Sequence, residues 1–292
     1  MVDLPGAPGF GGLAFSNGML LIAHGGANAL DIFDQQRRRV VAQVKDAGDP
    51  QGIAVNDRTG TVFVANSTGK SIEVISAKDW KVTDRVPLQS NPYALAISSD
   101  GATLFVANWR GQSISTVDLL HGFRVRTVQV GGTPHDLVYD SEAHLVYASL
   151  DDQSEVIGID ADLKIVRRIK LVASQPTGLA LDATGRLLYV AVRHAVARVQ
   201  VDTGVEVGRL PAPAGANSLW LDGGSGTLFV GSADGTISLM RATGSGFLPL
   251  GDVHTDVRGS ALAYDSARSL LYMPGAREGK SKLLILKRVQ PQ

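Results

Sequence analysis

The chain has 292 residues with 28 Lys+Arg against 28 Asp+Glu, so its formal charge is zero and no overall field attracts a phosphate backbone or an anionic membrane. Nucleic acid is therefore disfavoured as the principal partner. It has no cysteine, which excludes disulfides, thiolate metal sites and cysteine nucleophiles together.

The N-terminal Met1-Val2-Asp3-Leu4 reads as a strand almost at once. Mature domains look like this once a leader has given way to an initiator methionine. The expectation is an exported, periplasmic protein, with the cytoplasm as the alternative. The first apolar stretch, Gly12 to Ala23, carries Ser16, Asn17 and Gly18, and is too short and too polar for a membrane span or a signal sequence.

From there the chain repeats. Pro50-Gln-Gly-Ile-Ala-Val-Asn56 returns as Pro92-Tyr-Ala-Leu-Ala-Ile-Ser98, Pro134-His-Asp-Leu-Val-Tyr-Asp140 and Pro176-Thr-Gly-Leu-Ala-Leu-Asp182, with weaker copies ending at Ser16, Asp222 and Asp265. The seven end residues are spaced by 40, 42, 42, 42, 40 and 43 positions. Such a period marks an array of supersecondary units.

Each unit continues into a second apolar run ending in a small residue, such as Val62-Phe-Val-Ala65, Leu104-Phe-Val-Ala107 and Leu188-Tyr-Val-Ala191. These β-branched and aromatic runs read as short strands. Connections such as Asp57-Arg-Thr-Gly60 and Ser99-Asp-Gly101 tolerate tight turns, so strands A and B form a hairpin. The third strand, as in Ser71-Ile-Glu-Val-Ile75, alternates apolar and polar residues and reads as buried only in part. The fourth, such as Lys164 to Leu171, carries the most charge and belongs at an outer edge.

Seven four-stranded units predict one all-β domain over residues 1–292, a seven-bladed β-propeller with almost no helix. The last unit has strands near Ala261 to Tyr264, Leu270 to Met273 and Lys282 to Leu286, and then ends in Val289-Gln-Pro-Gln292. It lacks a fourth strand. Val2-Asp3-Leu4-Pro5 resembles the outer-strand ending Val86-Pro87-Leu88, so the N-terminal strand is expected to complete blade seven. Closure leaves no long free edge, and a monomer is expected.

The runs Val62-Phe-Val-Ala-Asn66 and Leu104-Phe-Val-Ala-Asn108, each followed by a polar loop and a strand, resemble the YVTN-type propeller repeat. That resemblance implies the propeller fold over the whole chain. The family it implies includes surface-layer and periplasmic proteins together with relatives of lactonases and lyases. Asn66 and Asn108 resemble asparagines that help hold a divalent ion in lactonase propellers. Ser149, Val192 and Ser232 stand at the matching positions of later units, a departure from such a cage.

In a propeller the D-to-A connections and B-to-C loops share one face around the channel. The inner D-to-A positions are Phe10, Gln51, Tyr93, His135, Thr177, Asn217 and Gly259. His24, His135, His194 and His254 fall on this face by register and are the metal-ligand candidates, for a divalent ion such as zinc or copper. Asp136 beside His135 is placed to orient it. Asp151 and Asp152 form an adjacent carboxylate pair, one of which can be raised in pKa by the other. Tyr93, Trp109 and Arg110 form an aromatic and cationic wall, while Arg193 and Arg277 are placed to clamp an anion.

These residues support a non-catalytic propeller that binds a small molecule or a protein partner on this face. The alternative is a lactonase-like or lyase-like, metal-assisted enzyme using His135, Asp136 and one or more of His24, His194 and His254.

Overall fold

The computed structural model describes residues 1–45, 47–243 and 246–288, so the chain end 289–292 lies outside the described residues. Seven four-stranded antiparallel sheets follow one another in chain order, six built from consecutive strands. The seventh is Ala263–Asp265, Leu270–Arg277 and Lys280–Lys287, with Val2–Asp3 as its outer strand. Val2 pairs with Leu283 and Asp3 with Lys282, as expected from the incomplete last unit. Two short 3-10 turns, Gly25–Ala27 and Trp109–Gly111, are the helical elements among the described residues. Among the described residues no helix is long and apolar enough to cross a membrane.

Hydrophobic packing lies between blades. Leu21, Leu30 and Ile32 of blade 1 meet Val62, Val64 and Ile75 of blade 2, and equivalent clusters fill every other junction. The ring closes where Leu4, Leu20, Ile22, Phe33, Tyr272 and Leu283 pack together. Leu4 is buried, and its N–H donates to the Ser281 carbonyl at 3.0 Å. Leu4→Ala removes that plug from the seam. It is expected to cost about 2–3 kcal/mol and to lower the thermal midpoint by about 5 °C, read by calorimetry.

The third strands differ from the half-buried reading. Ser71–Ser76 and Ser113–Asp118 are buried at every position except the last. Their polar residues face the interior of the blade, where they join ladders across three strands. In blade 2, Asn66 donates to Glu73 at 3.0 Å, and the Arg85 guanidinium donates to the same carboxylate at 2.8 Å. In blade 3, Asn108 donates to Ser115 at 2.8 Å, and Ser115 bonds Thr127 at 2.8 Å. Alternation fails as a guide here because a polar side chain with a buried partner needs no solvent.

The end residues that mark the repeat stand at the A-to-B corners on the opposite face from the loops. Asp140 accepts from the Glu142 and Ala143 N–H groups, Asp182 from Gly185 and Asp265 from Arg268. Some also cross blades: Ser266 donates to Asp222 at 2.8 Å and Arg186 donates to Asp140 at 2.9 Å. Turn chemistry and blade-to-blade fastening thus select the same position.

Candidate functional site

The inner strands are bent where they reach the channel mouth. In blade 4, Pro134 pairs with Leu150 and Leu137 with Ala148, so His135 and Asp136 stand opposite the single residue Ser149. Blade 3 has one such extra residue, Tyr93, and blade 6 has Asn217. A bulge re-aims the side chains that it carries. Tyr93, His135, Asp136 and Asn217 consequently line the channel cavity of about 290 Å3.

A second, larger hollow of about 700 Å3 shares Tyr93, His135 and Asn217 with the first and runs outward over blades 3 to 6. One wall is aromatic. The Tyr93 ring lies edge-on to His135 at 5.1 Å and tilted against Trp109 at 5.9 Å. The Arg110 guanidinium lies 5.9 Å from the Trp109 ring. Arg193 and His194, on the exposed turn between strands B and C of blade 5, line the same groove, as do Asp151, Asp152 and Thr177.

The carboxylates have separate roles. Asp152 Oδ1 and Oδ2 accept from the backbone N–H and hydroxyl of Thr133, at 2.8 and 2.9 Å, so Asp152 ties its loop down. Asp151 is pushed above the usual carboxylate range by burial first and by the Asp152 charge second, with the Trp109 side chain opposing. Asp136 accepts from the Leu137 N–H through Oδ1 and from the Leu179 N–H through Oδ2, both at 2.8 Å. It thereby brackets blade 4 to blade 5. Its surroundings are crowded protein bordering the channel, and burial still raises its pKa above the ordinary carboxylate value.

No hydrogen bond joins Asp136 to the neighbouring imidazole among those of the described residues, and His135 Nδ1 is buried without a partner. Burial pushes His135 below the ordinary histidine value, against the pull of the Asp136 charge. The ring is therefore neutral near neutral pH. Burial also raises Tyr93, with Asp136, Asp151 and Asp49 adding to it, so its phenol stays protonated.

The other candidates are placed elsewhere. His24 is fully buried inside blade 1, its Nδ1 2.7 Å from Asp31 and its Nε2 2.8 Å from the Ala7 carbonyl, leaving neither nitrogen for a metal. His254 ends the outer strand Gly246–His254 of blade 6 and bonds Thr236 at 3.1 Å. The four histidines thus do not converge, and among the described residues no group of three His, Asp or Glu side chains is arranged to hold a metal ion. Arg277 pairs with Asp256 at 2.7 Å instead of facing the groove. Asn66 and Asn108 belong to the ladders, and Asn66 Oδ1 also accepts from the Gly69 N–H at 2.8 Å.

Gln175 also lines the groove and was not singled out in the sequence. It stands in the left-handed region at φ +57°, immediately before Pro176, and that placement in an exposed connection is the signal that could have found it.

No family model matches the sequence, and no curated protein matches it. Solved structures do resemble the molecule. They include hydrazine synthase of Kuenenia stuttgartiensis, at 16% identity over 98% of this chain and 97% of that one with a TM-score of 0.85. A chain of the mitotic checkpoint complex aligns at 15% identity over 99% and 93%, with a TM-score of 0.82. Virginiamycin B lyase of Staphylococcus aureus aligns at 14% identity over 97% of each chain, with a TM-score of 0.79. At these identities the likeness is one of shape, and these three names describe unlike activities. What the chain is, on its own strand order and on this likeness, is a seven-bladed β-propeller closed by its N-terminal strand.

Proposed function

We propose that the propeller is a binding protein whose groove over blades 3 to 6 takes a small planar molecule carrying an anionic group. The observation that carries this reading is the lining of one 700 Å3 hollow by Tyr93, Trp109 and His135 of blades 3 and 4 together with Arg193 and His194 of blade 5. Aromatic faces favour a flat apolar body, and a guanidinium favours a carboxylate or phosphate. A hollow of this size is within the range of small-molecule sites.

The test uses 2-naphthoate and its neutral relative 2-naphthamide, with tryptophan emission as the signal. Trp80 and Trp220 pack against blade-junction cores, whereas Trp109 lies in the groove and is 39% exposed. Naphthoate is expected to quench saturably. Arg193→Ala should weaken naphthoate about tenfold, or 1.4 kcal/mol, and leave naphthamide unchanged. Equal loss for both compounds, or no saturable quenching of the wild-type protein, overturns the reading.

One observation favours a second reading. A neutral, poorly solvated His135 with an unpartnered nitrogen is suited to take a proton from a bound substrate, and a lyase is among the proteins of this shape. Against it, both oxygens of Asp136 are held by backbone N–H groups, so no hydrogen-bonded dyad forms. Turnover of a lactone or of virginiamycin B that disappears in His135→Gln would establish this reading over simple binding.

A further inference from the structure

The polar ladders of the first three blades occupy one register but different volumes. In blade 1 the ladder runs His24, Asp31, Gln43, and in blade 2 Asn66, Glu73, Arg85. Blade 3 keeps the asparagine, Asn108, but its next two members are Ser115 and Thr127. Ser115 pairs across the strands with Thr127 as Glu73 pairs with Arg85. Two long charged side chains are therefore replaced by two short hydroxyls.

A polar cavity of about 260 Å3 lies at this place in blade 3. Ser90, Asn108, Ser113, Ser115, Thr127 and Gln129 line it, all uncharged and all carrying hydrogen-bonding oxygens or nitrogens. Asn108 is 1% exposed, and its Nδ2 is committed to Ser113 and Ser115 at 3.2 and 2.8 Å. Its Oδ1 is buried and has no partner. A buried carbonyl oxygen without a donor is destabilising, so blade 3 carries an unmet acceptor on a residue that lines the cavity.

We propose that this cavity is a second binding site, for a neutral polyhydroxyl compound such as a sugar ring. The lining has no charge to neutralise, which disfavours an anion or a strongly charged cation. Its hydroxyls and amides both donate and accept, as vicinal hydroxyls do. The Asn108 Oδ1 asks for an O–H donor. The volume equals roughly nine waters at about 30 Å3 each, room for a six-membered ring.

The probes are methyl α-glucoside and myo-inositol, titrated into the full-length, 15N-labelled protein. At least one is expected to give saturable shifts in the Asn108 side-chain amide and in the Gly111, Ser113 and Ser115 backbone signals. The double variant Ser115→Glu/Thr127→Arg places in blade 3 the pair that blade 2 carries, filling the cavity while supplying a partner for Asn108. It should fold and weaken binding at least about tenfold, 1.4 kcal/mol. Asn108→Ser, which copies the Ser232 position of blade 6, removes the acceptor without filling the space and should weaken binding by a similar factor. The proposal is overturned if neither probe gives saturable shifts. It is equally overturned if affinity survives in Asn108→Ser and in a folded double variant.

Discussion

His24→Ala is expected to lower the unfolding free energy by about 3–5 kcal/mol and the thermal midpoint by roughly 6–10 °C, because it leaves an uncompensated carboxylate in a dry interior. Asp31 has no exposed surface, and its two oxygens are taken by His24 Nδ1 and by the Gln43 amide at 2.7 Å each. The imidazole also reaches outward to the Ala7 carbonyl at 2.8 Å and stacks on Phe10 at 4.4 Å between centroids. Both contacts hold the segment that leads away from the N-terminal strand. Nearby, Ser281 donates to the Gly6 carbonyl at 2.9 Å, tying the same segment to blade 7. The damage from His24→Ala should therefore be read twice, as a lower midpoint in calorimetry and as faster hydrogen exchange at Leu4.

A second substitution separates charge from closure. Blade 2 satisfies its buried carboxylate with an asparagine at the same register, so His24→Asn should retain a donor to Asp31 while losing the contacts to Ala7 and Phe10. Its cost is expected at about half that of alanine, with the exchange at Leu4 still accelerated. Equal destabilisation by both variants would show that the ring's contacts with the N-terminal segment, and not the buried carboxylate, set the penalty.

The fold was legible because the repeat marker has a physical duty in each unit. Asn56, Asp140, Asp182, Asp222 and Asp265 cap their own turns or fasten neighbouring blades, so the spacing of these residues counts the blades. Closure was legible for a related reason: Val2–Asp3 carries the pattern of an outer strand and the last unit has none of its own. Tyr93, Trp109 and Arg110 were grouped by loop register, and the Tyr93 ring and the Arg110 guanidinium each lie 5.9 Å from the Trp109 ring.

What misled was direction. His24 ends a strand just as the loop begins, and sequence register cannot say whether such a residue points toward the channel or into its own blade. Its partner is seven residues on, at Asp31, and the same interval separates Asn66 from Glu73 and Asn108 from Ser115. That recurring interval was the available signal. His254 ends the outer strand of blade 6, Gly246–His254, and bonds Thr236 there, so it sits on the outermost strand of its blade and not at the channel. Asp136 was grouped with His135 as a chemical pair, yet a bulge sends its carboxylate to backbone donors of blades 4 and 5. Bulges depend on the pairing of two strands and leave little trace in either one alone.

Arg186→Met is expected to destabilise the propeller by a similar amount, about 3–5 kcal/mol, from the opposite face of the ring. Asp140 is fully buried, and Arg186 reaches it from the next blade through two contacts of 2.9 Å while also holding Asp202 at 3.0 Å. Burial by itself raises the Asp140 pKa, but the Arg186 hydrogen bond and the backbone donors of Ala143 and Glu142 outweigh it and leave the carboxyl below its ordinary 3.8. A carboxyl depressed in the folded state stabilises fully above its unfolded value and loses that contribution as pH falls through the folded one. The wild-type midpoint should therefore hold steady from neutral pH down to about pH 4 and drop below it as Asp140 takes up a proton. In Arg186→Met the guanidinium no longer favours the charged form, so burial dominates and Asp140 titrates at a higher pH. Lowering the pH from neutral into the acid range should then relieve part of the variant's deficit, because protonation removes the unpaired charge. Thermal melts of both proteins across that range decide the matter: a deficit that does not shrink on acidification would mean that Arg186 acts through its packing and not through the Asp140 charge.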